Sequence, residues 1–254
     1  MGRPKKKFPP DPEQPLLAHL IELRTRLLRV LACVGIVFLL LFPFASELYE
    51  LLALPLLRHL PAESTMIATE VASPFLAPFK FALVLAFFLS MPFVLYQLWA
   101  FIAPGLYRNE QRIVLPLLVS SSLLFYAGVA FAYFIVFPLI FSFLIGAAPE
   151  GVAVMTDISK YLEFVLKLFF AFGAAFEVPV ATILMVWAGV TTPDRLVAKR
   201  PYVIVGAFVV GMLLTPPDMI SQTLLAVPIW LLFELGVYAA RIMVPPREEA
   251  EDDG

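Results

Sequence analysis

Charge is scarce in this sequence: only 15% of its 254 residues are Asp, Glu, Lys or Arg, and 18 cations nearly balance 20 anions. An ordinary soluble domain carries about a quarter of its residues as charged side chains. The shortage argues against a water-exposed globule, and the near balance argues against a strongly basic nucleic-acid binder. Cysteine is rarer still, with Cys33 alone, so no intrachain disulfide can form. The two histidines, His19 and His59, stand far apart in sequence, and neither H-E-x-x-H nor G-x-S-x-G occurs. No metal set, catalytic constellation or nucleotide-binding loop is legible, so neither cofactor nor metal is expected and an enzyme is disfavoured.

What the chain has in abundance is hydrocarbon. Hydrophobic residues make up 61% of it, including 24 Phe, and the mean hydropathy is +0.90. A membrane span needs about 20 apolar residues. Six runs near that length are predicted, at 27–44, 75–99, 113–137, 161–186, 202–215 and 219–239. The fifth is the short one, about 14 residues or roughly 21 Å at 1.5 Å per residue, less than a bilayer's hydrocarbon thickness. Most of the 18 Lys and Arg residues fall on one side of these spans, beginning with Arg3, Lys5, Lys6, Lys7, Arg24, Arg26 and Arg29 before the first. Positive charge marks the cytoplasmic face, so both termini are expected there. The first run lacks a small-residue cleavage site and is expected to stay as a span.

Three segments follow. Residues 1–15, basic and proline-rich, and 245–254, acidic, are expected to be disordered. Residues 16–244 form the all-α membrane domain. Two long connections, 45–74 and 138–160, are expected to lie as loops on the extracytoplasmic face.

Four constellations stand out. Before the first span, Leu16, Leu20, Leu23 and Leu27 recur at helical spacing, with His19, Glu22 and Arg26 on another face. Glu22 and Arg26, four apart, read equally as an intrahelical ion pair and a lipid-anchoring charge cluster. Between the second and third spans, F-I-A-P-G-L-Y-R-N-E makes a short turn at Pro104-Gly105 that holds Phe101 and Glu110 near the membrane surface, where a belt aromatic and a solvated carboxylate would also sit. Deep in the fourth span, Glu177 precedes Pro179, which should kink the helix; a carboxylate there must face protein or water. Lys167 is expected to pair with Glu163, and Glu234 to snorkel. Last, Met212, Thr215, Asp218 and Gln222 flank the Pro216-Pro217 turn, as hairpin chemistry or as an invitation to a partner helix.

Taken in order, H-L-I-E-L-R-T-R, F-I-A-P-G-L-Y-R-N-E, F-G-A-A-F-E-V-P and L-L-T-P-P-D resemble the motifs of the TatC family over nearly the whole chain, about residues 15–244. That resemblance implies a bent, glove-like bundle of six spans in the bacterial inner membrane, acting as receptor for twin-arginine signal peptides and as core of the translocase that exports folded proteins. It further implies a signal-peptide site at Glu22, Arg24, Arg26, Phe101, Pro104 and Glu110, and an intramembrane polar spot at Glu177. A role for Pro55 in the extracytoplasmic cap is also implied, though a plain loop proline reads the same. Single-span partners TatA and TatB would dock around Met212, Thr215, Asp218 and Gln222. Other copies of the chain and membrane lipid are further partners, nucleic acid is not, and energy would come from the proton-motive force. The rival reading from residues alone is a proton-coupled carrier using Glu177 and Lys167, against which no inverted repeat is evident.

Overall fold

The computed structural model describes residues 13–58, 65–102, 111–146, 155–214 and 219–243, and every described element but one isolated bridge is helical. Helix α1 (Glu13–Leu41) passes through a tight turn at Phe42–Phe44 into α2 (Ala45–Leu57). Then come α3 (Ser73–Leu89), α4 (Met91–Ile102), α5 (Gln111–Phe131), a π-helical turn (Ala132–Val136) and α6 (Phe137–Gly146). The second half holds α7 (Ile158–Phe176), α8 (Val178–Trp187), α9 (Pro193–Ala198), α10 (Arg200–Leu214) and α11 (Met219–Met243).

Four stretches are long and apolar enough to cross a membrane: His19–Leu57, Pro116–Gly146, Ile158–Trp187 and Met219–Met243. A fifth forms when α3 and α4, bent by 54° at Ser90, are read as one span. The sixth expected span is α10, at 15 residues the shorter apolar helix of the set. The chain is thus a multi-pass, all-helical membrane protein.

Several boundaries differ from expectation. Helix α1 starts at Glu13, inside the segment expected to be unstructured, because the leucine periodicity continues into its first turns. The connection at 45–74 is not all loop: α2 occupies nearly its first half and buries Tyr49, Leu52, Ala53 and Leu56. Likewise α6 carries the third span on to Gly146, extending it past the expected boundary at Pro138.

Prolines shape the bundle, and tyrosines repair what they break. A proline within a helix lacks the N–H that would bond the carbonyl four residues back. Pro55 frees the carbonyl of Leu51, and the Tyr133 hydroxyl donates to that oxygen at 2.9 Å. Pro92 frees the carbonyl of Phe88 at the α3/α4 bend, and the Tyr126 hydroxyl donates to it at 3.0 Å. Tyr126 and Tyr133 stand seven residues apart along the α5 track, so one helix face supplies both donors.

Between them lies an aromatic core. Phe88, Phe125, Phe137, Phe169 and Phe172 are almost fully buried, with ring centroids of Phe88–Phe125 at 5.5 Å and Phe137–Phe169 at 5.1 Å. Gly128 lets α5 approach α7 closely: a Cβ there would lie 2.4 Å from the carbonyl oxygen of Phe172. In lipid, such small residues let backbones pack tightly where no hydrophobic force drives association. A second cluster of Val186, Leu196, Phe233, Val237 and Ala240 joins α8 and α9 to α11. Helix α8 stops in a Schellman-type turn, with Gly189 at φ 74° and bonds from Gly189 N to Val186 O and from Val190 N to Met185 O.

Candidate functional site

Each end of the bundle gathers polar groups differently. At the N-terminal end of α1, Glu22 and Arg26 do meet across one turn. Arg26 Nε and Nη2 both donate to Glu22 Oε1, at 2.9 and 2.6 Å, while its Nη1 donates to Gln97 Oε1 at 3.2 Å. The pair is half-buried, with Arg26 more enclosed than Glu22. Gln97 is 5% exposed on α4, so the guanidinium is fixed from two helices at once. Glu22 Oε2 carries no bond among the described residues. One turn earlier, the His19 ring stacks on Phe101 with centroids 4.2 Å apart. Arg24, on the exposed side of α1, takes no part in this cluster. Pro104 and Glu110 lie outside the described residues.

Gln97 and the His19–Phe101 stack escape a motif-based reading. The signal for them was present: Gln97 is the one carboxamide in Met91–Ile102, four residues before Phe101 and therefore on its face.

The fourth span breaks where expected. Helix α7 ends at Phe176 and α8 begins at Val178, with Pro179 in its first turn. Glu177, in the break, accepts a hydrogen bond from Ser121 of α5, while its other carboxyl oxygen is buried without a partner. Two expectations fail, one of an ion pair and one of snorkelling. Glu163 is 3.9 Å from Lys160, nearer the aqueous end, and Lys167 has no ion pair among the described residues. Glu234 does not snorkel to water; it pairs with Arg200 of α10 at 2.5 Å, and Arg241 pairs with Asp194 at 2.8 Å.

In the hairpin, Ala207 and Gly211 are the buried residues of α10, with Gly211 set against the Gln222 backbone. Met212 is exposed beside them, and Gln222 is partly buried on α11. Thr215 and Asp218 lie outside the described residues. At the opposite end, Pro55 is not a loop residue: it is buried within α2, whose carbonyls take the Tyr133 and Tyr161 hydroxyls at Leu51 and Leu52. There the two long connections clasp each other. Ile67 and Asp157 form a parallel bridge, Thr69 N and Oγ1 donate to Asp157 Oδ2 at 2.9 and 2.7 Å, and Asp157 Oδ1 caps α7 through Ser159 N and Lys160 N. The Thr69 hydroxyl, then the backbone donors, hold the Asp157 carboxyl down at about 2.

Comparison with known proteins brings these features together. Residues 18–228 match the family model described as Sec-independent protein translocase protein (TatC). Two proteins named Sec-independent protein translocase protein TatC are close relatives. That of Azotobacter chroococcum mcd 1 is 61% identical over 244 residues, covering 96% of each chain. That of Escherichia coli K12 is 59% identical over 239 residues, covering 94% of this chain and 93% of the relative. A crystal structure described as the twin arginine translocase receptor TatC superimposes with a TM-score of 0.80 at 40% identity, covering 89% of this chain and all of that one.

Proposed function

This chain belongs to the TatC family of Sec-independent protein translocase proteins, and on that premise we propose that it is the receptor for twin-arginine signal peptides in a translocase that carries folded proteins across the bacterial inner membrane. Its chemistry is recognition and not catalysis. Both termini face the cytoplasm, as the Lys and Arg distribution along the chain favours.

The observation that supports this reading best is the bonding of Glu22. Arg26 fills one carboxylate oxygen and leaves the other with unused acceptor capacity. An incoming guanidinium is a planar fork of donors suited to that oxygen, and a second carboxylate at Glu110 would take the neighbouring arginine. Lysine, a point charge, cannot present a planar pair of donors to that oxygen, which gives discrimination against an ordinary basic leader. Arg26, pinned by Gln97, positions Glu22; Phe101, stacked on His19, offers an apolar contact, and Pro104 completes the set. Arg24 adds an interfacial charge.

The remaining assignments follow from the same reading. Single-span subunits TatA and TatB pack along α10 and α11 around Met212, Thr215, Asp218 and Gln222, where most of α10 is left uncovered. Further copies of the chain complete the receptor, Pro55 serves the extracytoplasmic cap, Glu177 offers a polar point within the membrane, and the proton-motive force supplies energy.

Crosslinking a twin-arginine signal peptide to the full protein in membrane vesicles tests the site. Glu22→Ala and Glu110→Ala are each expected to weaken the crosslink, and together to abolish it, with insertion unchanged; Lys-Lys replacement in the peptide should act likewise. Full crosslinking in the double variant would refute the carboxylate assignment.

A further inference from the structure

Lys167 lies where a membrane span should not carry a free cation. It sits seven residues past Lys160 on α7, about 10 Å deeper along the axis, in the stretch Ile158–Trp187 that crosses the membrane. Such a residue ordinarily pairs with a neighbour or lines a functional site. Here it is exposed and has no ion pair among the described residues, while Glu163, its natural partner one turn away, is also exposed.

The reason for this exposure is the short neighbour. Helix α10 has 15 residues, about 22 Å of rise, roughly 8 Å less than a 30 Å hydrocarbon core. Its last residue, Leu214, stands beside this part of α7, so the cap side of the bundle is notched. The notch is a groove of about 590 Å³ between α7 and α10, walled by Phe170, Ala171 and Val210 toward the membrane centre, then by Lys167, then by Glu163 nearest the cap.

That order is the order of a phospholipid read upward from its tails. Apolar wall, cation and anion match acyl chain, phosphate and ammonium. We propose that the groove binds one phosphatidylethanolamine molecule, its phosphate on Lys167 Nζ, its ammonium on Glu163 and an acyl chain along Phe170 and Val210. A phosphate takes charge-assisted bonds from lysine, and the primary ammonium donates to a carboxylate. An anionic lipid without an ammonium would satisfy Lys167 and face repulsion from Glu163, so selectivity comes from the carboxylate. The lipid fills the gap left by the short helix and gives a deep lysine an anionic partner. This inference needs only that α7 crosses the membrane, so it stands or falls apart from the signal-peptide site at the other end.

Native mass spectrometry of the full protein, exchanged into micelles with equal phosphatidylethanolamine and phosphatidylglycerol, tests it. Wild-type protein is expected to retain phosphatidylethanolamine by about fivefold over phosphatidylglycerol, the scale of one half-exposed ionic contact. Glu163→Gln should erase that preference while keeping lipid bound. Lys167→Gln should remove both lipids, and Val210→Trp, which fills the groove without touching charge, should do the same in a protein whose signal-peptide crosslinking is intact. Arg241→Gln, whose side chain pairs with Asp194 at the opposite end of the bundle, should change nothing. Equal retention of the two lipids by wild-type protein, or undiminished retention in Lys167→Gln, would overturn the proposal, as would occupancy of the groove by a co-purified single-span subunit in place of lipid.

Discussion

The two ends of this bundle hold together by different means. At the cap end, most of the bonds run to the backbone: Tyr133, Tyr161 and Tyr49 donate to the carbonyls of Leu51, Leu52 and Ile158, and the two connections share a parallel bridge. At the opposite end, side chain meets side chain. Arg26–Glu22, Arg200–Glu234 and Arg241–Asp194 are ion pairs with partly exposed members, and Glu22 keeps an oxygen free of bonds among the described residues. Backbone bonds inside an apolar setting have no competing water, so they define one arrangement. Exposed ion pairs exchange partners at little cost. The cap is a brace, and the other end is a surface able to rebind.

The sharpest way to break that contrast is at Tyr133. Tyr133→Phe leaves the Leu51 carbonyl without the donor that replaces the missing N–H of Pro55, and an acceptor left unpaired in an apolar setting costs about 1–3 kcal/mol. Pro55→Ala returns that N–H. The same Tyr133→Phe change in a Pro55→Ala background is therefore expected to cost less than about 0.5 kcal/mol, a coupling measurable by SDS-titration unfolding in mixed micelles. Equal costs in both backgrounds would show that the tyrosine does not stand in for the proline's lost bond.

A smaller effect is expected at Asp157, and it depends on pH. Its carboxyl titrates at about 2 in the folded protein against an ordinary 3.8, so the ionised form is favoured by folding. The stabilisation is complete above the ordinary value and drains away as pH falls from there through about 2. Thr69→Val removes the hydroxyl that contributes most to the depression. The variant's unfolding midpoint should fall at neutral pH and vary less between pH 4 and pH 2 than that of the wild type. An unchanged acid profile would mean that the backbone donors alone hold the carboxylate.

Much of this was legible in the residues, and the exceptions share a cause. Hydrophobic runs mark the spans because the bilayer imposes a length, and Pro179 announces the break beside Glu177 because its missing N–H acts locally. Helix α2 was not legible: it falls within 45–74, read as a loop with Pro55 in it, and the donor that makes Pro55 tolerable comes from Tyr133, far along the chain. Gln97 was missed for the same reason, since its partner Arg26 is 71 positions away. Glu163 and Lys167 have good helical spacing, yet spacing does not register a groove opened by a short neighbouring helix. Local rules found what local physics decides; the site's second helix needed tertiary contact.

The smallest expected effect lies at Arg241, and it tests the loose half of the comparison. Its guanidinium is 2.8 Å from Asp194, good geometry by distance, but the side chains are 51% and 89% exposed. Water and salt compete for both partners, and holding a long side chain in one rotamer costs entropy, so such pairs contribute about 0–1 kcal/mol. Arg241→Ala should therefore shift stability by less than about 0.5 kcal/mol, and 1 M salt, with a screening length of about 3 Å, should erase even that. The hydrophobic contact of Leu196 with the α11 cluster, which does not depend on charge, keeps α9 in place. A loss matching that of Tyr133→Phe would mean that this end is braced as firmly as the cap, and that Glu22's unused oxygen belongs to a rigid surface and not to one ready to exchange partners.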